Sequence, residues 1–216
     1  MRAIAINGSP RKDWNTATLL RKALEGTESE GAETRLVHLY DFAFKGCTSC
    51  FSCKIKMNTC GGLCAMKDDL RDILSETLES DVLLLGSPIY FFDVTGGMRS
   101  FLERLLFANL VYDLEKRTVF AREISCGFIF TMNVSEEAAE RFACDAIFQR
   151  HTAMLRILNA DSEILAAYDT YQFPDYSKVH APMFDETRKA RGRAERFPVD
   201  CRKAFEMGAR LAAARK

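Results

Sequence analysis

The feature that most constrains this chain is an alternation. Short apolar runs that read as strands are followed by segments with helical spacing, five times over. The clearest run, Val82-Leu83-Leu84-Leu85, sits in a strand expected over Asp81–Gly86. It is apolar at every position, as suits a strand of a parallel sheet covered by helices on both faces. Further strands are expected over Arg2–Asn7, Thr34–Leu39, Ile124–Thr131 and Ser162–Tyr168. Between them, Asn15-Thr16 offers an N-cap to a helix carrying Ala17, Leu20, Ala23 and Leu24, with Gly26 as its stop. Asp68-Asp69 opens a helix through Leu78, with acids placed to suit its N-terminal dipole. Another helix runs from about Thr95 to Phe107, a long one from Glu136 to Ile157, and a last one from Phe197 to Ala213 with Pro198 in its first turn. This pattern predicts an α/β domain with a doubly wound, five-stranded parallel sheet, one domain over residues 1–216.

In such folds ligands bind at the carboxyl ends of the strands, near the switch in strand order. The loops Gly8–Thr18, Ser87–Asp93 and Thr131–Ser135 are therefore expected to converge. The first leads from a strand into a helix and carries hydroxyls at Ser9, Thr16 and Thr18 and a guanidinium at Arg11. With the free N–H groups of the helix start, it can cradle a phosphate monoester, or it is an ordinary capped turn. It is neither a G-x-G-x-x-G nor a Walker A sequence. The second loop, Ser87-Pro88-Ile89-Tyr90-Phe91-Phe92, places three aromatics at the exit of the best strand. As a group at a ligand-facing edge they can flank a flat heterocycle. A phosphate cradle beside a flat-ring wall implies a mononucleotide, and FMN fits.

Composition excludes other classes. Thirty Lys and Arg balance thirty Asp and Glu, against binding nucleic acid by bulk charge and against a strongly acidic electron shuttle. The longest apolar stretch, Val82–Phe92, is broken by Gly86-Ser87-Pro88 and is too short to span a membrane. The N-terminal apolar run is too short for a signal peptide, so a cytoplasmic, reducing location is expected. His38, His151 and His180 are isolated, which speaks against a hydrolase or a histidine metal site.

The residues carry a family resemblance. Gly8-Ser9-Pro10-Arg11 with Asn15-Thr16, then Ser87-Pro88-Ile89-Tyr90 and a helix ending Phe101-Leu102-Glu103-Arg104, resemble the NADPH-dependent FMN reductase branch of the flavodoxin-like superfamily. The resemblance covers about the first 135 residues. It implies that Ser9, Arg11, Asn15, Thr16 and Thr18, with Ala17 among them, hold the FMN phosphate. Pro88, Ile89, Tyr90, Phe91 and Phe92 would line the isoalloxazine and ribityl chain, and Thr131, Met132 and Asn133 the other side of the ring. NAD(P)H would be the co-substrate.

Two segments stand outside the alternation. Of eight cysteines, five fall between Cys47 and Cys64. Cys47, Cys50 and Cys53 have C-x2-C-x2-C spacing, suited to one side of an iron–sulfur cluster. Zinc, a redox thiol pair and no metal at all remain open. The segment 47–64 resembles the compact cysteine motif of iron–sulfur flavoproteins in the same superfamily, which implies a [4Fe-4S] cluster beside FMN. Cys60 and Cys64 compete for the fourth place: the first by its distance from Cys53, the second by its distance from Asp68-Asp69. The second segment, 169–196, is long, aromatic and without periodicity; it is expected to pack on a neighbouring subunit of a homodimer or tetramer, or on its own chain. Its basic residues Arg188, Lys189, Arg191, Arg193 and Arg196 are candidates for the 2′-phosphate of NADPH, or a solvated face.

The expected function is an FMN flavoprotein oxidoreductase passing electrons to a small-molecule or protein acceptor, with no side chain required as acid or base. The rival is an electron carrier serving ferredoxin-like partners. A third reading makes the cysteine segment a redox or zinc sensor.

Overall fold

The computed structural model describes residues 1–55 and 61–216. Five parallel strands form the sheet: β1 (Arg2–Asn7), β2 (Glu33–His38), β3 (Val82–Tyr90), β5 (Ser125–Thr131) and β6 (Asp161–Ala167). Their order is β2-β1-β3-β5-β6, with the two-residue β4 (Asp93–Val94) pairing antiparallel with the end of β3. The order reverses between β1 and β3, which opens a crevice at the carboxyl ends of those strands.

The apolar run in β3 explains the two layers. Alternate residues point to opposite faces of a strand. Leu83 and Leu85 join α2 (Leu70–Glu79), α3 (Gly96–Asn109) and α5 (Cys144–Leu155) in one core. Val82 and Leu84 join α1 (Asn15–Ser29) and α7 (Phe197–Ala213) in the other. All four are 0% exposed, each contributing roughly 1.5–3 kcal/mol by burial. Phe128 and Phe130 of β5 stack at 4.2 Å, and Phe130 stacks on Phe148 at 4.5 Å. Buried His151 presents its ring to both phenylalanines of β5.

Several expectations need correction. Gly26 does not end α1, which runs on to Ser29. It lies where α1 crosses α7: a Cβ there would sit 2.0 Å from the Phe205 carbonyl, and one at Gly208 would sit 1.9 Å from the Ala23 carbonyl. The two glycines let the helix backbones touch. Ser87–Asp93 is not a loop, because β3 continues through Ser87-Pro88-Ile89-Tyr90 and turns back at Phe91-Phe92 into β4. The long helix expected over Glu136–Ile157 is two, α4 (Glu136–Arg141) and α5, parted where Ala143 takes a left-handed φ of 53°. The segment after β6 holds a ten-residue helix, α6 (Glu186–Glu195), where no periodicity was expected. Among the described residues no helix is long and apolar enough to cross a membrane.

Candidate cofactor site

The loop between β1 and α1 is shaped by its own short polar side chains. Asn7 Oδ1 accepts from the Ser9 N–H at 3.0 Å, and Ser9 Oγ accepts from the Arg11 N–H at 3.1 Å. Gly8 donates its N–H to the Gly86 carbonyl at 2.8 Å; a Cβ on Gly8 would lie 2.8 Å from Met98 Cβ, so glycine lets the end of β1 lie against α3. Thr95, the N-cap of α3, donates Oγ1–H to the Gly8 carbonyl at 2.6 Å and its N–H to Ser87 Oγ at 3.0 Å. Thr16 Oγ1 and Thr131 Oγ1 share a hydrogen bond of 2.8 Å, joining the start of α1 to the end of β5.

The hairpin after β3 forms a second wall. Phe91 and Phe92 are both left-handed, with φ of 48° and 63°, as a two-residue hairpin turn demands. Phe91 is fully exposed, at 100%. Phe92 packs edge-on against Phe142 with centroids 5.3 Å apart. Asp93 lies behind the turn, its Oδ1 3.0 Å from His151 Nε2. His151 donates Nδ1–H to the Ile147 carbonyl at 2.9 Å, so its neutral form turns a bare Nε2 towards that carboxylate. Burial pulls the His151 pKa down; Asp93 opposes that more weakly.

The third wall is the stretch after β5, fastened by the chain beyond β6. Thr170 donates both its N–H (2.9 Å) and its Oγ1–H (3.0 Å) to the Met132 carbonyl, and the Asp169 N–H reaches the Val134 carbonyl at 2.7 Å. Asn133 donates Nδ2–H to Gln172 Oε1, and Arg11 donates to the Gln172 carbonyl. The Tyr171 carbonyl accepts from Trp14 Nε1 and from Asn15 Nδ2, each at 3.0 Å.

Together these walls enclose a cavity of 370 Å³, within the range of small-molecule sites. Of the residues singled out in the sequence, Ser9, Arg11, Asn15 and Thr16 line it from the first loop. Pro88, Ile89, Tyr90, Phe91 and Phe92 line it from the hairpin, and Thr131, Met132 and Asn133 from the end of β5. Ala17 and Thr18 do not. Ala17 faces the core, and Thr18 donates Oγ1–H back to the Trp14 carbonyl at 2.9 Å. Sequence reasoning missed Trp14, Val134, Phe142, Cys144, Thr170 and Gln172, which also line the cavity. The indole of Trp14, inside the very loop that was singled out, was a readable signal; Thr170 and Gln172 were not, since only the tertiary fold returns them. Hydroxyls, an arginine and a helix start on one side, and an aromatic hairpin on another, suit the phosphate and the flat ring of FMN.

The cysteines gather elsewhere, against α3. Cys47, Cys50, Cys53 and Cys64 line one small cleft of 20 Å³ with Phe51, Arg104 and Phe107. Cys60 lies outside the described residues. Left-handed residues at Ser49 (φ 53°) and Phe51 (φ 56°) fold the C-x2-C-x2-C stretch back on itself. Arg104, only 1% exposed, fixes the other side: Nη1 is 2.5 Å from Asp68 Oδ2, and Nη2 donates to the Met66 carbonyl at 3.4 Å. Its Nε is buried with no partner of its own among the described residues. Arg71 donates to the Cys64 carbonyl at 2.8 Å. Hydrogen bonds from Ser52 lead the causes that lower the Cys50 pKa, whereas burial raises those of Cys126, Cys144 and Cys201. Among the described residues no three His, Cys, Asp or Glu side chains stand close enough to hold one metal ion. Four thiols and a buried guanidinium are the donor set an anionic iron–sulfur group would take, but the cleft as it stands holds about one water, so its walls would have to open to admit a cluster.

The basic run has internal partners throughout. Arg188 pairs with Asp169 at 3.4 Å, Arg191 with Glu195 at 3.0 Å and Arg196 with Glu136 at 3.6 Å. Lys189 and Arg193 reach the cavity loops.

Known proteins place this architecture. The NAD(P)H:quinone oxidoreductase of Methanothermobacter marburgensis superposes with a TM-score of 0.68 over 98% of both chains at 16% identity. An archaeal flavodoxin superposes with a TM-score of 0.51 at 15% identity, over all of this chain and 99% of its own. These likenesses show a flavodoxin-like fold. In sequence, an iron-sulfur flavoprotein of Archaeoglobus fulgidus is 37% identical over 106 residues, 49% of this chain and 46% of that protein. One from Methanocaldococcus jannaschii is 38% identical over 104 residues, 48% of this chain and 51% of its own. The chain thus spans about half the length of these curated relatives. The pattern of one family matches residues 1–154, the greater part of the chain, and it covers two of the three cavity walls whole and most of the third. The chain belongs to the NADPH-dependent FMN reductase family.

Proposed function

We propose that this protein is an NAD(P)H-dependent flavoprotein oxidoreductase that holds FMN in the 370 Å³ cavity and a [4Fe-4S] cluster at Cys47, Cys50, Cys53 and Cys64. The observation that carries the reading is the meeting of the three expected loops on one cavity, hydroxyl-rich on the α1 side and aromatic on the hairpin side. FMN supplies two-electron exchange with a nicotinamide and one-electron exchange with other acceptors when bound, and a cluster supplies one-electron exchange. The chain's own residues bind and orient. Ser9, Arg11, Asn15 and Thr16 offer donors for a phosphate at the start of α1. Tyr90, Phe91 and Phe92 cover the ring and exclude water from one side. Thr131 and Asn133 offer polar groups to the ring edge. The electron acceptor is a small molecule or a redox protein.

Cys64 is the fourth ligand in this reading, because it lines the same cleft as the other three and its segment is pinned by Arg71 and Arg104. Anaerobically purified protein is expected to show flavin bands and to contain iron and sulfide, and to oxidise NAD(P)H with a dye acceptor. Cys64→Ala should lose iron while Cys60→Ala keeps it. Flavin bands without iron would remove the cluster. Reduction by reduced ferredoxin, with none by NAD(P)H, would make the protein a carrier instead of a reductase.

A further inference from the structure

The family match ends at residue 154, yet the cavity is completed from further along the chain. Helix α6 is the element that ties this later part to the site. It carries almost no apolar surface; the one buried residue on it is Lys189, at 0% exposure. Burying an ammonium costs several kcal/mol unless its donors are taken up. Here they are: Lys189 Nζ lies 2.5 Å from Asp169 Oδ1, donates to the Asn133 carbonyl, and stands 5.3 Å from the centre of the Phe184 ring. Asp169 is itself left-handed (φ 51°), a conformation that aspartate adopts more readily than most side-chain-bearing residues.

One helical turn on, Arg193 donates Nη1–H to Asn15 Oδ1 at 2.7 Å and covers the Phe197 ring at 4.3 Å. Residues four apart share a helix face. That single face therefore grips both sides of the cavity. Lys189 holds Asn133 of the stretch after β5, and Arg193 holds Asn15 of the loop after β1. Both asparagines line the cavity.

We propose that α6 is a clasp on the cofactor cavity, in which Lys189 and Arg193 are positioning residues that hold Asn133 and Asn15 in place for FMN. The inference rests on the FMN reading above. Neither cation need touch the cofactor; each fixes a residue that lines the cavity.

The test measures FMN affinity by fluorescence titration of the FMN-free protein, alongside its FMN-free thermal midpoint. Arg193→Met and Lys189→Met are each expected to weaken FMN binding roughly two- to tenfold, because the asparagine each one held must be ordered anew when FMN binds. Arg193→Lys should recover part of it. If Lys189→Met fails to fold, the double variant Asp169→Asn with Lys189→Met removes both buried charges and is read in its place. A merely structural role would lower the FMN-free midpoint and leave FMN affinity unchanged, and that outcome in folded Arg193→Met and in the double variant overturns the clasp. Failure of the unaltered protein to bind FMN would instead overturn the cofactor reading.

Discussion

In the proposed FMN site, the Phe91-Phe92 turn would set fold stability against cofactor binding. Phe91 sits left-handed at φ 48°, in a two-residue turn whose flanking pair is Tyr90 and Asp93. A left-handed backbone costs an ordinary residue about 1–2 kcal/mol, and asparagine less. The Phe91 side chain is 100% exposed, so replacing it forfeits no buried surface. Phe91→Asn is therefore expected to stabilise the FMN-free protein by about 1 kcal/mol, roughly 2–4 °C in a chain of this size. With FMN the sign reverses. An aromatic face on a flat ring contributes about 0.5–1.5 kcal/mol beyond its area, so FMN should bind roughly two- to tenfold more weakly. Phe92→Asn is the control. Its backbone is also left-handed, but it is 55% exposed and its ring meets Phe142 at 5.3 Å, so relief and loss nearly cancel. Urea midpoints of the FMN-free proteins and FMN titrations read both effects. A Phe91→Asn protein less stable than the parent would refute the strain argument; unchanged FMN affinity would refute the wall.

Two further perturbations probe the frame around the site. Gly208→Ala puts a Cβ 1.9 Å from the Ala23 carbonyl, which forces α7 from α1 by at least 1.1 Å to reach 3.0 Å, at about 1–3 kcal/mol. Gly192→Ala in α6 meets nothing nearer than 3.9 Å and should instead stabilise by roughly 0.5–1 kcal/mol; denaturation midpoints that rank the two alike would sink the argument. Burial holds His151 below its ordinary 6.5, so its contribution is full above that value and fades as the pH falls through and below it. His151→Gln should flatten the loss of stability between neutral and acid pH, as followed by thermal unfolding; an unchanged slope assigns the loss to other groups.

The sheet was legible because its signal is dense. A short all-apolar run such as Val82–Leu85, bounded by Asp81 and Gly86, favours a buried strand by its length and flanks. The first loop and the aromatic hairpin were legible as chemistry, although the hairpin's backbone was not: proline normally ends a strand, and Pro88 is tolerated because it lies at the far end of the ladder, opposite Thr131. The break at Ala143 has no glycine or proline to announce it. Helix α6 escaped because periodicity sees only apolar stripes, and this helix is held by cations. Gly26 reads as a stop in one dimension and as a close contact in three.

The proposed cofactor cavity has a bearing on the order of synthesis. Its first wall comes from residues 9–16, and its last members, Thr170 and Gln172, from much later in the chain. Helix α1 can pack on β1 and β3 once they have emerged, but its burial is complete only when α7 crosses it at Gly208. The nascent chain therefore carries an open, half-walled cradle through most of translation, and contacts so distant in sequence close late. If FMN binds there as proposed, its capture would follow release of the helices after β6, and bound flavin would report that the whole sheet has closed.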